Sequence, residues 1–176
     1  MAVHKILIAG FGGQGVMLIG QMIAYAAMYE GKEVTWMPSY GPEMRGGTAN
    51  CTIVVSDKPI SSPIISDATA VVAMNAPSLR KFEGMVQQGK QLFINRSLIN
   101  ERSSRSDIET YEIDASGIAL SLENEKVSNM VILGAIVNKT QVVKIESVEK
   151  TMEKLFTGRK AKLLPLNKKA LTAWKA

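Results

Sequence analysis

The sequence predicts a single α/β domain built on a mostly parallel sheet with helices on both faces. Short, continuous apolar runs such as residues 6–9 and 70–74 are typical of buried parallel strands. After the first of these runs, apolar residues recur at helical spacing over residues 16–28. This order gives β-α-β units, which place helices over a parallel sheet. A chain of 176 residues is long enough for one such domain with a sizeable core.

The first strand leads directly into a glycine-rich turn. Gly10, Gly12 and Gly15 have the G-x-G-x-x-G spacing, and Gly13 is an additional glycine. Such a turn lets backbone N–H groups at a helix N-terminus approach an anion. Close packing of strand and helix explains the same spacing without a ligand. Both interpretations stay open at this point.

The second strand lacks a residue that a dinucleotide site needs. We expect the first helix to end near Gly31 and the second strand to cover residues 33–37. In a dinucleotide-binding fold, an Asp or Glu closes this strand and holds the ribose hydroxyls. Here the strand ends in Trp36-Met37-Pro38-Ser39, without an acid. The sequence therefore disfavours an NAD site.

The next stretch, residues 38–47 (PSYGPEMRGG), is the most unusual of the chain. Its two prolines and three glycines exclude regular structure for most of it. It is longer and chemically more varied than a simple connection. Because it follows the second strand, it should lie at the same carboxyl edge of the sheet as the glycine turn, where open α/β sheets bind ligands. A rigid surface loop without a ligand is the alternative.

The later elements continue the α/β pattern and define a Rossmann-like three-layer domain over residues 1–176, with a basic helical tail at about 158–176. Strands are expected at 50–56, 70–74, 91–95 and 109–113, and helices at 77–88, 114–122, 130–137, 145–156 and 168–176. A further short strand near residues 61–63 would give an antiparallel edge. Polar residues 96–107 indicate a mobile loop. In the helix at 145–156, the buried face should contain Val148, Met152 and Leu155.

Composition excludes several classes of protein. With 46% hydrophobic and 21% charged residues, the chain is globular rather than disordered. No apolar run approaches the length of a membrane span, and we see no secretory pattern. The single cysteine, Cys51, excludes an internal disulfide and a cysteine-rich metal or iron–sulfur site within this chain, and we expect it in the core. A cytoplasmic location fits best.

The charged and titratable residues show no catalytic centre. The net charge is +5, and from Lys154 onward there are seven basic residues and no acids. A solvated helix face explains this tail better than contact with nucleic acid, an anionic cofactor or an acidic partner. His4 stands alone and is expected at a strand end rather than in a metal site. Anion-binding features without a catalytic acid, base or redox centre are typical of one part of a larger assembly.

Two motifs together resemble the gamma subunit of 2-oxoacid:ferredoxin oxidoreductases. They are Gly10-Phe-Gly-Gly-Gln-Gly-Val16 and residues 38–50, of which the second is the more specific, and the likeness covers nearly the whole chain. Enzymes of this family oxidatively decarboxylate a 2-oxoacid with coenzyme A and give an acyl-CoA, carbon dioxide and reduced ferredoxin. The sequence Met44-Arg45-Gly46-Gly47 looks closer to the 2-oxoglutarate and 2-oxoisovalerate members than to pyruvate enzymes.

The resemblance also implies partners and cofactors. Thiamine diphosphate, Mg and the iron–sulfur clusters would belong to the partner alpha, beta and delta subunits, and ferredoxin would be reached through the complex. Coenzyme A would be the co-substrate. This chain alone would then bind no cofactor and no metal, would involve neither nucleic acid nor membrane, and would show no activity in isolation.

The residues that match the family lie in the two loops. They are Gly12, Gly13, Gln14, Gly15, Ser39, Tyr40, Gly41, Glu43, Arg45, Gly46 and Gly47. Our hypothesis is that the backbone amides of the glycine turn face coenzyme A, another anion or a partner subunit. Arg45 would pair with a carboxylate or phosphate, and Glu43 with Arg45 or a partner's basic group. Tyr40 would pack on a flat group of the ligand or partner.

Three alternatives stay open. The beta subunit of an indolepyruvate:ferredoxin oxidoreductase shares both loops. A free-standing nucleotide-binding dehydrogenase is disfavoured by the missing acid after Met37. An interaction module without enzyme activity rests only on the charge of the C-terminal tail.

Overall fold

The structure, a computed structural model, describes residues 3–40 and 47–175. Within these residues, strands and helices alternate along the chain. The strands are β1 (His4–Phe11), β2 (Glu33–Tyr40), β3 (Thr48–Ser56), β4 (Ala68–Ala73), β5 (Val86–Asn95) and β6 (Glu109–Ile113). The α-helices are α1 (Val16–Tyr29), α2 (Ala76–Phe82), α3 (Ala115–Ser121), α4 (Ser128–Thr140), α5 (Ile145–Leu155) and α6 (Leu164–Leu171). Short 3-10 helices cover Glu83–Met85, Glu125–Val127 and Gly158–Leu163.

The sheet is mostly parallel, as the sequence predicts. Its strand order is β2-β3-β1-β4-β5-β6. Neighbouring strands pair in parallel from β1 through β4 and β5 to β6. Strand β3, by contrast, is antiparallel to both β1 and β2. It follows that β2 runs in the same direction as β1. The prediction of an antiparallel edge is therefore confirmed, and β3 is the single reversed strand of the described sheet.

Alternating side chains of the central strands enter two separate cores. Ile6 and Ile8 of β1 pack into the larger core, to which α1, α3, α4, α5 and α6 contribute. Leu7 and Ala9 enter the smaller core, where Leu79 of α2 packs. The predicted arrangement with helices on both faces is thus confirmed, with most of the helical mass on one side.

Helix α4 is buried on all sides within the domain. Residues 130–137 are all buried, so this apolar helix needs no partner subunit to cover it. Its Gly134 allows a very close approach, because a Cβ atom there would lie 1.8 Å from the backbone oxygen of Leu171 at the end of α6.

The prediction of a short strand near residues 61–63 is wrong. Residues 57–67 contain no strand. The hydroxyl of Ser62 instead accepts a hydrogen bond of 3.1 Å from the backbone N–H of Ile64, which is a local turn contact. Such side-chain bonds compete with ladder pairing, and Pro59 and Pro63 remove backbone donors from the segment.

Two helix boundaries also differ from the sequence prediction. Helix α2 ends at Phe82 rather than at residue 88, because Val86 is buried and already pairs with Ala68 of β4. The last helix begins at Leu164 rather than at residue 168, since Pro165 suits the first turn of a helix. In both places, tertiary pairing or local backbone chemistry outweighs the periodic pattern.

The polar residues 96–107 are held in place rather than free. The carboxylate of Glu83 accepts hydrogen bonds of 3.0 Å from the hydroxyls of Ser103 and Ser104. The guanidinium of Arg105 donates to the carbonyl oxygen of Val86 at 2.5 Å. Ile99 is fully buried in the smaller core. The expectation of a mobile loop overlooked these anchors, which join distant positions of the chain.

The predicted apolar face of α5 is partly wrong. Val148 and Met152 are buried, but Leu155 is 36% exposed and Thr151 takes a buried position instead. Leu155 is the last residue of the helix, so its side chain lies beyond the covered part.

In the tail, Lys168 contacts Glu153 at 2.7 Å and Glu149 at 3.5 Å, and this part of the basic charge is neutralised within the chain.

Glu30 joins the end of α1 to the start of α5. Its carboxylate accepts a hydrogen bond of 2.6 Å from the backbone N–H of Lys144 and forms a 2.8 Å ion pair with Lys32. Burial acts to raise the pKa of this carboxyl group, but the bonds from Lys32 and Lys144 outweigh it and hold the pKa below the usual 4.5. The charged form of Glu30 therefore stabilises the fold.

Replacing Glu30 by glutamine should destabilise the protein at neutral pH and much less in acid. Because the folded-state pKa is lowered, this contribution is complete above the ordinary carboxyl pKa of 4.5 and is lost as the pH falls through the folded value. Urea denaturation of wild type and Glu30→Gln at pH 7 and pH 3.5 measures it. The matched control is Glu33→Gln, because Glu33 is exposed. A difference between wild type and Glu30→Gln that does not shrink in acid would contradict this account.

Candidate functional site

The glycine turn between β1 and α1 requires glycine at two positions. Gly13 has a φ of 102° and Gly15 a φ of 81°, in the left-handed region that side-chain-bearing residues rarely adopt. Gly15 is the N-cap of α1, and no side chain caps this helix. The first-turn N–H groups of α1 therefore point out of the turn without a side-chain acceptor, as an anion site requires.

Gln14 holds this turn against the end of β4. Its Oε1 accepts a hydrogen bond of 2.7 Å from the backbone N–H of Phe11, the last residue of β1. Its Nε2 donates to the carbonyl oxygen of Met74 at 3.2 Å. The Nδ2 of Asn75 donates to the same Oε1 at 3.4 Å. One amide side chain thus joins the carboxyl ends of two neighbouring parallel strands.

The second predicted loop meets the glycine turn, as expected from its position after β2. The backbone N–H of Gly12 donates to the carbonyl oxygen of Gly47 at 2.9 Å. This contact shows that the end of the second loop, Gly47, lies at the same edge of the sheet as the glycine turn. Of the residues assigned to the second loop, Gly41, Glu43, Arg45 and Gly46 lie outside the described residues, and so does the side chain of Tyr40.

Part of the predicted loop is strand. Pro38, Ser39 and Tyr40 continue β2 and pair with Cys51, Asn50 and Ala49 of β3. The prolines and glycines had indicated irregular structure from residue 38 onward, but β2 is an edge strand. One side of an edge strand has no ladder partner, so the missing N–H of a proline is tolerated there. Residues 41–47 therefore connect the two strands of a β-hairpin.

A cleft opens beside the glycine turn at the carboxyl ends of β4 and β5. Its volume is about 340 Å³, and it is lined by the turn and by polar residues that follow later elements. Those that the sequence analysis missed are Asn95, Ser116, Glu125, Lys126, Ser128 and Asn129. Asn95 had a usable signal, since a polar residue that ends a buried parallel strand is placed at this edge. The others depend on how α3 and α4 pack, which local sequence does not reveal.

The start of helix α4 borders this cleft, where Ser128 and Asn129 line it. The 3-10 helix Glu125–Val127 leads directly into α4, and the N–H of Ser128 bonds the carbonyl oxygen of Glu125. Asn129 also packs on Gly15, where a Cβ atom would lie 2.5 Å from its Nδ2. The uncapped start of α1 and Lys126 favour an anion here, while the neighbouring Glu125 moderates the positive potential.

The nucleophile and base candidates lie elsewhere. Cys51 is fully buried in the core, and burial raises the pKa of its thiol to about 12, so the expectation of a core cysteine is confirmed. His4 begins β1, as predicted, and is therefore at the opposite edge of the sheet from the cleft. Burial lowers the pKa of His4 and favours its neutral form. The described lining of the cleft contains neither cysteine nor histidine, and its ionisable side chains are Glu125 and Lys126.

Residues 3–40 and 47–175 contain no group of three His, Cys, Asp or Glu side chains that is placed to hold a metal ion. None of the helices in these residues is long and apolar enough to cross a membrane.

The fold and the site define the class of this protein as a Rossmann-like α/β domain with a glycine turn. Known proteins that are similar to this chain support that class. The chain is 34% identical to the ketoisovalerate oxidoreductase subunit VorA of Methanothermobacter marburgensis over 96% of its length, but spans only 35% of that protein. It is 32% identical to the 2-oxoglutarate synthase subunit KorC of Methanocaldococcus jannaschii, over 84% of this chain and 81% of that one. A keto/oxoacid ferredoxin oxidoreductase gamma subunit from Geobacter sulfurreducens has the same fold, with a TM-score of 0.81 and 28% identity over 97% and 95% of the two chains.

A family model covers almost the entire chain. The chain belongs to the pyruvate ferredoxin/flavodoxin oxidoreductase family, whose model matches residues 5–173. The resemblance inferred from the two loops is thereby confirmed.

Replacing Gln14 by alanine should lower the free energy of unfolding by about 1–3 kcal/mol, because the partly buried N–H of Phe11 then loses its acceptor. The matched control is Gln88→Ala, which removes an exposed side chain from β5 and should change stability by less than about 0.5 kcal/mol. Urea denaturation followed by circular dichroism measures both. Equal stability of the two variants would show that Gln14 does not hold the turn.

Proposed function

We propose that this chain is the gamma subunit of a multisubunit 2-oxoacid:ferredoxin oxidoreductase. The enzyme would oxidatively decarboxylate a 2-oxoacid with coenzyme A and release an acyl-CoA, carbon dioxide and reduced ferredoxin. The observation that carries the proposal is the edge where the glycine turn meets the β2–β3 hairpin, in a chain that the family model covers over residues 5–173. The described residues of this edge offer anion-binding groups, and neither cysteine nor histidine lies among those that line the cleft.

The two loops receive complementary roles in this proposal. The backbone N–H groups of Gly13 and Gly15 lie at the uncapped start of α1 and would face an anionic part of coenzyme A or a carboxylate of a partner subunit. The hairpin residues Tyr40, Glu43 and Arg45 would contact the same ligand or partner, since Gly47 next to them already bonds Gly12. Arg45 would supply a fixed positive charge for a carboxylate or phosphate.

The chemistry itself would belong to the partners. Thiamine diphosphate, Mg and iron–sulfur clusters are assigned to the alpha, beta and delta subunits, which would pass electrons to ferredoxin. In support, the lone cysteine of this chain is inaccessible, as Cys51 is fully buried. The complex is proposed to be cytoplasmic.

For the substrate we propose 2-oxoglutarate, on the likeness of residues 44–47 to that group of enzymes. Overall identity favours neither branch, because a ketoisovalerate subunit and a 2-oxoglutarate subunit match this chain at 34% and 32%. A free-standing dehydrogenase is a poorer proposal, since β2 ends in Ser39 and Tyr40 without an acid for a ribose.

Purification of the tagged chain from its native source tests this function. We expect it to bring down subunits that carry thiamine diphosphate and iron–sulfur clusters, and the complex to convert 2-oxoglutarate and coenzyme A to succinyl-CoA while reducing ferredoxin. The isolated chain should show no turnover. Turnover by the chain alone, or its purification as a monomer that binds NAD, would contradict the proposal.

The same complex tests the hairpin. Arg45→Ala should reduce subunit assembly or acyl-CoA formation about tenfold or more, because a charge-assisted hydrogen bond is lost. The control is Arg102→Ala, which removes an arginine whose side chain is 81% exposed and whose ion pair with Glu112 is long, at 3.9 Å. Wild-type assembly and turnover for Arg45→Ala would exclude this role of the hairpin.

A further inference from the structure

A second groove lies next to the cleft, between helix α1 and the chain that runs from the end of α5 to α6. Its volume is about 310 Å³, and Lys126 and Asn129 line both this groove and the cleft. Leu18 and Gln21 of α1 form one wall, and residues 155–167 supply the other. None of the described residues of the two loops lines this space, which is called the tail groove.

The tail groove contains leucine side chains that the domain leaves open to solvent. Leu155 ends α5 and is exposed, and Leu163 at the end of the last 3-10 helix is 41% exposed. Leu18 on the facing wall is half-buried, and Phe156, which also lines the groove, is buried. Exposed apolar side chains that are gathered in one concave place favour contact with an apolar group of another molecule, because the contact removes all of these surfaces from water.

Helix α1 extends this apolar surface. The helix contains no charged residue, and its inner face is buried in the larger core. Its outer face carries residues three and four positions apart, which are Leu18, Gln21, Tyr25 and Met28. Tyr25 is 44% exposed and Met28 is 59% exposed. A helix that lacks a charged face is normally covered on all sides, so the outer face of α1 fits contact with a second protein.

Positive charge borders the tail groove. Lys126 and Lys160 line it. Arg159 and Lys162 belong to the same 3-10 helix as Lys160. None of these four cations forms an ion pair with a described residue, although Lys168 in the following helix is paired with two glutamates. A solvated helix face, which the sequence favours for this tail, does not account for the apolar groove beside it. Cations around an apolar groove favour an acidic partner.

Two other occupants fit this surface less well. A symmetric dimer through the tail groove would bring the four cations of one copy against the same four cations of the other, and like charges across an interface repel. A flat anionic surface such as a lipid bilayer would pair with the cations but would not fill the groove. An amphipathic helix meets both conditions, because its apolar face fills a groove while acidic side chains on its flanks pair with cations at the rim.

We infer that the tail groove binds an acidic amphipathic helix of a partner protein. Apolar side chains of that helix would contact Leu18, Leu155 and Leu163, and its carboxylates would pair with Lys126 and Lys160. The inference rests on the proposed function only in that the helix would belong to a subunit of the same oxidoreductase. Because Lys126 also lines the cleft, the docked helix would lie beside the edge of the sheet that carries the glycine turn.

Carbodiimide cross-linking of the complex purified through the tagged chain tests this inference, because the reagent joins a lysine amine to a carboxylate only where the two are in contact. Mass spectrometry of the joined peptides should identify Lys160 linked to an Asp or Glu of a partner protein. That Asp or Glu should lie in a segment with apolar residues at helical spacing. The control is Lys58, an exposed lysine in the turn after β3, which should give only background.

Two substitutions separate the charge from the apolar contact. Lys160→Glu puts a like charge against the acidic helix, and Leu163→Ser removes an apolar contact. Each should weaken binding of the cross-linked partner about tenfold or more, measured by biolayer interferometry. The matched controls are Lys58→Glu and Leu120→Ser, which change exposed side chains outside the groove and should leave binding unchanged. All four variants should melt within about 2 °C of wild type, since none of them replaces a buried side chain.

The inference is overturned if Lys160 is joined to no carboxylate of a partner protein, or if either groove variant binds that partner with wild-type affinity. It is also overturned if phosphatidylserine vesicles or duplex DNA, rather than a protein, bind wild type and lose binding in both groove variants. An active 2-oxoacid:ferredoxin oxidoreductase complex that assembles equally well with both groove variants would contradict the inference and leave the proposed function standing. A partner joined to Lys160 in a complex without thiamine diphosphate and iron–sulfur clusters would do the reverse.

Discussion

The hydrogen bonds of Gln14 are the constraint on which the rest of the site depends. Three of the four residues from Gly12 to Gly15 are glycines and lack side chains. Ordering glycines costs much backbone entropy, and the turn has few side-chain contacts of its own to hold one conformation. Gln14 supplies that fixation, because its amide bonds the N–H of Phe11 and the carbonyl of Met74 at once. The start of α1 is therefore held against the end of β4, and the cleft between them has a defined shape. Preorganised N–H groups bind an anion without an ordering cost at the moment of binding.

The reversed strand β3 explains why the second loop reaches the same place. Had β2 been followed by a parallel strand, the chain would have needed a crossover away from this edge. Because β3 instead returns beside β2 and pairs with β1, Gly47 at the start of the return lies next to the glycine turn. The edge position of β2 also accommodates Pro38. Topology thus provides the two-loop surface, and the contact between Gly12 and Gly47 connects its halves.

Much of the fold is predictable from sequence because its strands are continuous apolar runs and its first helix ends two residues before a glycine with positive φ, Gly31. The errors have physical causes. Helix α2 is shorter than predicted because Val86 pairs with Ala68 as part of β5. The loop at residues 96–107 is ordered by the hydrogen bond between Glu83 and Ser103, although its composition suggested mobility. Of the site, the glycine turn and its meeting with the end of the second loop were predictable, and Asn95 had a usable signal as the polar end of β5. The start of α4 was not predictable, because its place in the cleft follows from the packing of α4 against α1 and α6.

The exchange rate of the Phe11 amide hydrogen tests the central role of Gln14 most directly. This N–H stands at the end of β1 beside three glycines, and without its bond to Gln14 it would exchange as readily as a loop amide. We predict strong protection in the native chain, close to that of the buried β1 amides of Leu7 and Ile8, in hydrogen exchange followed by NMR. Exchange of Phe11 at the rate of an exposed loop amide would contradict the account, since the turn would then open without unfolding the sheet.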